Sequence, residues 1–240
     1  MQSLQGKTAL ITGAGKGLGK AIALSLAAEG VHLGLIARTA SDLETLSEQL
    51  KTINPAITVA YATADIAQYN EVQSAVATIT DTLKTIDILI NSAGIFKMGG
   101  LLDLPVAEWE QVVQVNLMGT YYVVREALPH ILQQGQGDII NIASTAGTKG
   151  NAKLSAYGSS KAALINFSES MMQELRKSNI RVTTLNPSTI ATDMALNAQL
   201  TDGNEEKVLQ PEDLAFLVVN HLKLPQRAFV KELGLWSTNP

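Results

Sequence analysis

Residues 8–30 read TALITGAGKGLGKAIALSLAAEG, and the order of patterns within them is the starting point for inferring the fold. An apolar, β-prone run over 8–12 is followed by a glycine-rich turn, and a helical pattern then runs over 17–29 to Gly30, a typical helix stop. Glycines let the backbone approach a ligand closely, and a helix N-terminus presents free N–H groups to an anion. The stretch therefore predicts a strand, a phosphate-binding turn and a helix.

The glycine spacing narrows this interpretation. The dinucleotide fingerprint G-x-G-x-x-G does not fit from Gly13, because its sixth position is Leu18. The spacing that fits is Thr12-Gly13-x-x-x-Gly17-x-Gly19. A glycine-rich turn without a ligand is the alternative, and the position at the first strand–helix junction favours nucleotide binding.

Outward from this stretch, apolar strand-like runs alternate with helical patterns. Strands are predicted over 9–12, 31–37, 57–62, 86–90, 138–142, 182–185 and 228–230, and helices over 17–29, 41–53, 68–83, 106–132, 156–177 and 211–222. Continuous apolar strands between helices indicate a parallel sheet covered on both faces. We expect an α/β, single-domain, doubly wound Rossmann-type fold over residues 1–240, with a seven-stranded, mainly parallel sheet. The polar stretch 193–210 fits a surface loop or a mobile lid.

Composition excludes several classes of function. The 240 residues are 46% hydrophobic and 17% charged, with a net charge of −4, which is typical of a globular protein that does not bind nucleic acid. No cysteine is present, which excludes disulfides, thiolate metal sites and cysteine nucleophiles. His32, His130 and His221 have no ligand spacing, so no metal site is predicted. Without a signal-peptide pattern or a membrane-length apolar run, we expect a cytoplasmic protein without a membrane partner.

Tyr157-Gly158-Ser159-Ser160-Lys161 places a phenol and an ammonium four positions apart, with Ser144 upstream. On a helix this spacing stacks Tyr157 and Lys161 on one face. A nearby positive charge lowers the pKa of a tyrosine from its usual value of about 10. Such a phenol can exchange a proton with a substrate oxygen that a serine hydroxyl also contacts. Taken alone the pair favours a surface aromatic–cation contact, so carbonyl chemistry requires a hydride carrier elsewhere.

Further motifs occur in a fixed order along the chain. Residues 12–19 read TGAGKGLG, residues 91–94 read NSAG and residues 186–192 read NPSTIAT. Asp65 follows the third predicted strand, and Asn116 lies within a predicted helix. With the Ser-Tyr-Lys set, these motifs resemble the classical short-chain dehydrogenase/reductase family over essentially the whole chain. The pattern is closest to 3-oxoacyl-[acyl-carrier-protein] reductases and uncharacterised bacterial relatives.

The resemblance implies a role for each candidate catalytic residue. Tyr157 would be the general acid in reduction, and Ser144 would orient and polarise the carbonyl. Lys161 would lower the pKa of the tyrosine and hydrogen-bond the nicotinamide ribose. Asn116 would hold a water that resupplies the proton, although a buried polar residue at a helix irregularity is an equal alternative.

A larger set is expected to contact the cofactor. Asp65 would contact adenine, and it could also cap the following helix. Ser188 replaces the glycine of the family pattern, which could alter the backbone beside the nicotinamide. The full set is Gly13, Gly15, Lys16, Gly17, Leu18, Gly19, Arg38, Asp65, Ile66, Asn91, Ala93, Gly94, Tyr157, Lys161, Pro187, Ser188, Ile190 and Thr192.

The end of the second strand bears on the choice of cofactor. Sites for NAD usually place an acid there to bind the ribose 2′-hydroxyl, but Ala37 occupies the position. Arg38 follows directly and Lys16 lies in the glycine-rich turn, where both could pair with a 2′-phosphate. Two solvated cations are the alternative. We expect NADP(H), and hence a carbonyl reductase.

Fewer residues of the sequence bear on the substrate than on the cofactor. The resemblance implies a 3-oxoacyl thioester, fatty acid metabolism and a dimer or tetramer, with acyl carrier protein as a possible partner. An apolar pocket is predicted around Ile95, Phe96, Met98, Met194, Leu196 and Leu200. Lys97, Lys149 and Lys153 could form a basic mouth for an acidic carrier, or could simply be solvated. The alternatives are a reductase of another small ketone, sugar or alcohol, and a non-catalytic NADP-binding sensor.

Overall fold

Seven parallel strands form one sheet in the computed structural model, which describes residues 1–238. The strands are β1 (Thr8–Thr12), β2 (His32–Ala37), β3 (Val59–Thr63), β4 (Ile88–Asn91), β5 (Gly137–Ile142), β6 (Ile180–Pro187) and β7 (Glu232–Leu235). Their order across the sheet is β3-β2-β1-β4-β5-β6-β7. Every pair is parallel, which confirms the doubly wound Rossmann-type fold and makes the sheet entirely parallel. Residues 239 and 240, which end the predicted domain, lie outside the described residues.

The helices cover both faces of the sheet. They are α1 (Gly17–Ala28), α2 (Ala40–Ile53), α3 (Tyr69–Leu83), α4 (Val106–Val113), α5 (Thr120–Gln133), α6 (Ser155–Leu175), α7 (Asp193–Asn197) and α8 (Pro211–Leu222). One hydrophobic core lies beneath α1, α2 and α8, and a second lies beneath α3, α5 and α6. Burial on both faces explains why the central strands are continuous apolar runs.

Strand order reverses beside β1, which pairs with β2 on one side and β4 on the other. The chain therefore leaves β1 and β4 in opposite directions, opening a crevice at their carboxyl ends. This is the position at which ligands bind in open α/β sheets. The glycine-rich turn and the 91–94 motif both follow strands that end there.

The prediction of a last strand over 228–230 is wrong. The strand is β7, which pairs with β6 in the register Asn186↔Gly234. The Ala228 carbonyl accepts a hydrogen bond from Arg181 at 3.0 Å, and the Val230 carbonyl accepts one from Thr183 at 2.9 Å. Because side chains of β6 use these carbonyls, the apolar segment lies beside the sheet without joining its ladder.

The predicted helix over 106–132 is interrupted. A π-helical turn, Gln114–Gly119, separates α4 from α5 and contains Asn116. Such turns occur as single irregularities within helices, frequently at functional sites. The interruption directs the fully buried Asn116 side chain toward the loop after β4.

A buried polar cluster lies at the opposite, amino-terminal edge of the sheet. Arg181 and Asp138 form a two-pronged ion pair between β5 and β6, with N–O distances of 2.6 and 3.0 Å. His221 of α8 is 4% exposed, and its Nε2 lies 2.9 Å from the Thr183 hydroxyl. Burial, aided by the charge of Arg181, lowers the pKa of His221 to about 4.

Replacing His221 with glutamine is expected to flatten the acid dependence of stability. The unfolded state binds the His221 proton more tightly, so this group's contribution is lost as pH falls from about 6.5 toward 4. The loss between pH 7 and pH 5 should be about 2 kcal/mol in the wild type and absent in the variant. Urea unfolding at both pH values measures it. His130→Gln serves as the control, and an unchanged slope in His221→Gln would contradict the prediction.

Among residues 1–238, no helix is long and apolar enough to cross a membrane.

Candidate active site

Two adjoining cavities, each of about 370 Å³, open at the carboxyl ends of the strands. The outer cavity follows the glycine-rich turn, the end of β2 and the segment after β3. The inner cavity lies between the ends of β5 and β6 and the first turns of α6. They share the lining residues Leu18, Ser92, Gly94, Thr192 and Met194. An elongated ligand can therefore occupy both.

The glycine-rich turn is closely packed. Gly13 has φ 66° and Gly17 has φ 51°, in the left-handed region that favours glycine. A Cβ on Gly13 would come within 2.8 Å of the Ala93 backbone, and one on Gly19 within 2.4 Å of the Gly13 carbonyl. Gly19 therefore packs α1 against the turn instead of lining a cavity. Gly15 and Leu18 line the outer cavity.

The N-terminus of α1 faces this turn. Its N-cap residue, Lys16, makes no side-chain cap, and the first turn of α1 holds no acid. The first N–H groups of the helix are thus free of competing side-chain acceptors, and the helix dipole adds positive potential there. This end of the outer cavity suits a phosphate or another anion.

The ends of β1 and β4 are fastened together by Thr12. Its hydroxyl accepts hydrogen bonds from the Ser92 and Ala93 N–H groups, both at 3.2 Å. Asn91 does not line either cavity; its Nδ2 donates to the Asn141 Oδ1 at 2.8 Å. We conclude that Asn91 joins β4 to β5, while Ala93 and Gly94 lie at the cavity wall.

The far end of the outer cavity carries charged side chains. Arg38 and Lys16 both line it, as the sequence predicted, and Ala37 stands at the end of β2. Asp42, in the first turn of α2, lines the same wall and lies 3.6 Å from the Lys16 ammonium. The sequence analysis did not single out this acid.

Asp65 and Ile66 line the outer cavity beyond β3. The Asp65 Oδ1 accepts a hydrogen bond from the Ala67 N–H at 3.0 Å. Helix α3 begins at Tyr69 with Gln68 as its N-cap, so the prediction that Asp65 caps this helix is wrong. Asp65 instead stabilises the turn between β3 and α3 while facing the cavity.

The inner cavity brings the three predicted polar residues together. Ser144, Tyr157 and Lys161 all line it, and the last two share one face of α6. Lys161 is 6% exposed, and its Nζ donates to the Ile142 carbonyl at 2.8 Å. The same Nζ lies 5.8 Å from the centroid of the Tyr157 ring. The Ser144 hydroxyl accepts from the Ala146 N–H at 3.1 Å.

The pKa of the tyrosine differs from the expectation. Burial raises the pKa of Tyr157 above its usual value, and the nearby Ser144 hydroxyl opposes this rise. Burial also lowers the pKa of Lys161 to about 8. The predicted lowering of the tyrosine pKa by Lys161 is therefore wrong for this structure, in which desolvation of the phenol is the largest cause and the Ser144 hydroxyl is the group that opposes it.

Asn116 connects the loop after β4, through hydrogen bonds, to α6, the helix that carries Tyr157 and Lys161. Its Oδ1 accepts from the Ile95 N–H at 2.8 Å, and its Nδ2 donates to the Ile95 carbonyl at 3.0 Å. The same Nδ2 reaches the Ser160 hydroxyl at 3.0 Å, which in turn donates to the Tyr157 carbonyl at 2.7 Å. Asn116 lines neither cavity and acts as a positioning residue; its expected hold on a water stays a prediction.

The end of β6 and the segment that follows it line the inner cavity with Pro187, Ser188, Ile190 and Thr192. The Ser188 N–H donates to the Leu235 carbonyl at 2.8 Å, and its φ lies outside the left-handed region. Serine is therefore accommodated without strain where the family pattern has glycine. The Thr192 hydroxyl accepts from the Ala195 N–H at 3.4 Å and begins α7 within the predicted loop.

Aromatic and aliphatic side chains form the remaining wall. Phe96 packs edge-on against Tyr157, with ring centroids 4.9 Å apart. Leu200 and Met194 also line the inner cavity, whereas Met98 and Leu196 are exposed and do not. The structure adds Asp42 and Leu154 to the cavity residues that the sequence analysis named, and it gives Thr12 and Ser160, which belong to the motifs, hydrogen-bonding roles. Of these two cavity residues, Asp42 carried a signal in the sequence, because it is an acid that closely follows β2, the strand whose end lacks the expected acid.

Comparison with known proteins identifies the family. A family model described as short chain dehydrogenase matches residues 7–203. An uncharacterised oxidoreductase of Staphylococcus saprophyticus is 34% identical over 233 residues, covering 97% of this chain and 98% of the relative.

Solved structures of a reductase and an alcohol dehydrogenase are similar to this chain over nearly its whole length. The crystal structure of levodione reductase has a TM-score of 0.89 and 27% identity, covering 96% of both chains. An alcohol dehydrogenase from the archaeon Thermococcus sibiricus, complexed with 5-hydroxy-NADP, has a TM-score of 0.90 and 26% identity, covering 98% of this chain and 97% of that one. The chain belongs to the short-chain dehydrogenase family, as an oxidoreductase of CH–OH and C=O groups in a family that binds a nicotinamide cofactor.

Proposed function

We propose that the protein is an NADPH-dependent carbonyl reductase in which Tyr157 is the general acid. The observation that carries this is the placement of Ser144, Tyr157 and Lys161 around an inner cavity that adjoins an outer cavity with Lys16 and Arg38 in its wall. A phenol kept protonated by burial can give its proton to a carbonyl oxygen at neutral pH.

The residues present fit a nicotinamide dinucleotide. Uncapped N–H groups at α1 suit a pyrophosphate, and the turn at Asp65 and Ile66 suits an adenine. The segment 187–192 and Gly94 form the wall on which a nicotinamide would rest, at the junction of the cavities. When bound, the cofactor supplies the hydride, and the protein supplies binding, orientation and electrostatics.

Each polar side chain of the inner cavity has a separate role in binding the substrate and transferring the proton. Ser144 polarises the substrate carbonyl, and Tyr157 delivers the proton to its oxygen. Lys161 contributes positive charge beneath the phenol and a donor for the nicotinamide ribose. Phe96 holds the Tyr157 ring by edge-on packing, and Asn116 and Ser160 fix the first turn of α6.

The preference for NADP(H) rests on the charged end of the outer cavity. Ala37 leaves the end of β2 without an acid, while Arg38 and Lys16 face the cavity. A guanidinium can bind a phosphate in a bidentate manner, donating two parallel N–H hydrogen bonds. The similar alcohol dehydrogenase of Thermococcus sibiricus carries an NADP derivative, which supports this choice.

Replacing Arg38 with alanine is expected to weaken NADPH binding by about 10- to 100-fold, because a charge-assisted contact to the 2′-phosphate is lost. NADH, which lacks that phosphate, should bind as it does to the wild type. Fluorescence titration with both nucleotides measures the change. Arg125→Ala, remote from the cavities, is the control, and an equal loss for NADH would contradict the assignment.

For the substrate we propose a 3-oxoacyl thioester, as in a 3-oxoacyl-[acyl-carrier-protein] reductase of fatty acid metabolism. The apolar wall of Phe96, Leu154 and Leu200 suits an acyl chain. Lys149 and Lys153 are exposed at the approach to α6, but Lys97 is paired with Glu108 at 3.1 Å and adds less to a basic mouth. The same wall suits another small ketone, and the similarity to levodione reductase supports that second candidate.

Consumption of NADPH by purified protein with an acetoacetyl thioester tests the proposal, with NADH as the paired control. Turnover with NADPH but little with NADH would support both cofactor and substrate. Turnover only with other small ketones would favour the second candidate. Tight NADPH binding without turnover on any carbonyl would favour a non-catalytic sensor.

We also propose a homo-oligomer, a dimer or tetramer. Leu102, Phe216 and Trp236 are 97%, 71% and 65% exposed, and we infer that contacts between subunits bury them. Sedimentation velocity measures the state, and a monomer at micromolar concentration would contradict the proposal.

A further inference from the structure

We propose that Asp42 supplies the acid that the end of β2 lacks, and that it limits the preference for NADPH over NADH. This inference rests on the proposed function, since it concerns how the same cofactor site discriminates between two nucleotides. It makes Asp42 a specificity-determining residue and predicts that the wild type, while preferring NADPH, also binds NADH.

The position of Asp42 carries the argument. A Cβ built on Gly15 would lie 3.5 Å from the Ala37 Cβ and 3.5 Å from the Asp42 Oδ2. The Asp42 carboxylate and the Ala37 methyl thus flank the same point of the glycine-rich turn. Ala37 occupies the position from which an acid usually binds the ribose 2′-hydroxyl of NAD. Asp42 brings a carboxylate to that place from the next helix.

The charges around this point oppose each other. The Lys16 ammonium lies 3.6 Å from the Asp42 Oδ2, with side chains 66% and 26% exposed. A 2′-phosphate bound between Lys16 and Arg38 would stand close to the Asp42 carboxylate, and like charges repel. The phosphate would also have to draw Lys16 away from Asp42. A 2′-hydroxyl meets neither obstacle and can donate a hydrogen bond to the carboxylate.

A structural role alone does not account for this placement. An acid in the first turn of a helix is stabilised by the helix dipole, and Asp42 gains that benefit in α2. Glu44 and Glu48 also lie on α2, yet both point to solvent and neither lines the cavity. Asp42 alone among these three acids faces the glycine-rich turn.

Two variants separate the charge of Asp42 from its hydrogen bond. Asp42→Asn removes the charge and keeps an acceptor, so NADPH should bind about three- to tenfold more tightly while NADH changes little. Asp42→Ala removes the acceptor as well, so NADH should bind about tenfold more weakly. Glu44→Gln, the same charge change on the solvent face of α2, should leave both constants unchanged.

The measurement is equilibrium titration of NADPH and NADH by nucleotide fluorescence, at fixed salt, on full-length protein. Circular dichroism confirms that each variant is folded. An unchanged NADPH-to-NADH ratio in both Asp42 variants would overturn this inference and leave the proposed function standing. A wild type that binds neither nucleotide would overturn the proposed function, and this inference with it.

Discussion

Tyr157→Phe is expected to lower kcat/KM for ketone reduction by about 10²- to 10⁴-fold, the usual contribution of a positioned general acid. The substitution removes only the hydroxyl. The ring remains, and with it the edge-on contact with Phe96 at 4.9 Å. Cofactor binding should therefore change by less than about twofold, because the ring that is expected to contact the nucleotide remains and the missing hydroxyl is assigned to the substrate oxygen.

The direction of the tyrosine pKa sharpens this prediction. Burial raises the pKa, so the free enzyme holds a protonated phenol at neutral pH. Reduction needs that proton, whereas alcohol oxidation needs the phenolate. Reduction should consequently stay near its maximum at neutral pH, while oxidation should increase as pH rises toward the tyrosine pKa.

Steady-state kinetics in both directions, with NADPH titration in parallel, measures these effects. Tyr61→Phe, on the edge strand β3 away from the cavities, is the matched control and should behave as the wild type. Retention of activity within about tenfold in Tyr157→Phe would assign the proton transfer to another group. Loss of nucleotide binding together with activity would instead place the hydroxyl at the cofactor.

The features of the fold that could be predicted were those set by local pattern. Continuous apolar runs such as that of β1 can only belong to strands buried on both faces, and alternation with helices then requires a parallel sheet. The position of the last strand was predicted wrongly, because the segment that pairs with β6 is selected by side chains that are distant in the sequence. Arg181 and Thr183 take the carbonyls of Ala228 and Val230, and the less apolar segment Glu232–Leu235 pairs with β6 instead.

The same distinction applies to the site. Tyr157 and Lys161 lie on one face of α6 because helical geometry places i and i+4 together, so their pairing could be predicted from spacing. The sign of the tyrosine pKa shift could not, since it depends on how much solvent the surrounding segments remove. Asp42 was missed because its approach to Ala37 and Gly15 depends on how α2 packs beside the glycine-rich turn.

Lys161→Met is expected to abolish most activity while making the protein more stable. Burial lowers the pKa of Lys161 from 10.5 to about 8, so at pH 7 the folded protein holds a buried ammonium that the unfolded chain solvates better. The shift corresponds to a destabilisation of about 3 kcal/mol. Methionine removes the charge, but it leaves the Ile142 carbonyl without its donor, at a cost of about 1–3 kcal/mol. We expect a net gain of about 0–2 kcal/mol in the free energy of unfolding.

The pH dependence distinguishes this explanation from improved packing. Because the folded-state pKa is depressed, the unfolded chain binds the Lys161 proton more tightly between about pH 8 and 10.5, and wild-type stability rises with pH through that window. The advantage of Lys161→Met should therefore be largest at pH 7 and shrink by about pH 10. Urea unfolding at pH 7, 8.5 and 10 measures it, with the exposed Lys51→Met as the control. A gain that is independent of pH would show that packing, and not the buried charge, separates the two proteins. The decisive result is a gain in stability that is present at pH 7 and lost by about pH 10, together with an activity loss of at least about 100-fold. It would mean that the Lys161 ammonium destabilises the folded protein and is nevertheless required for proton transfer.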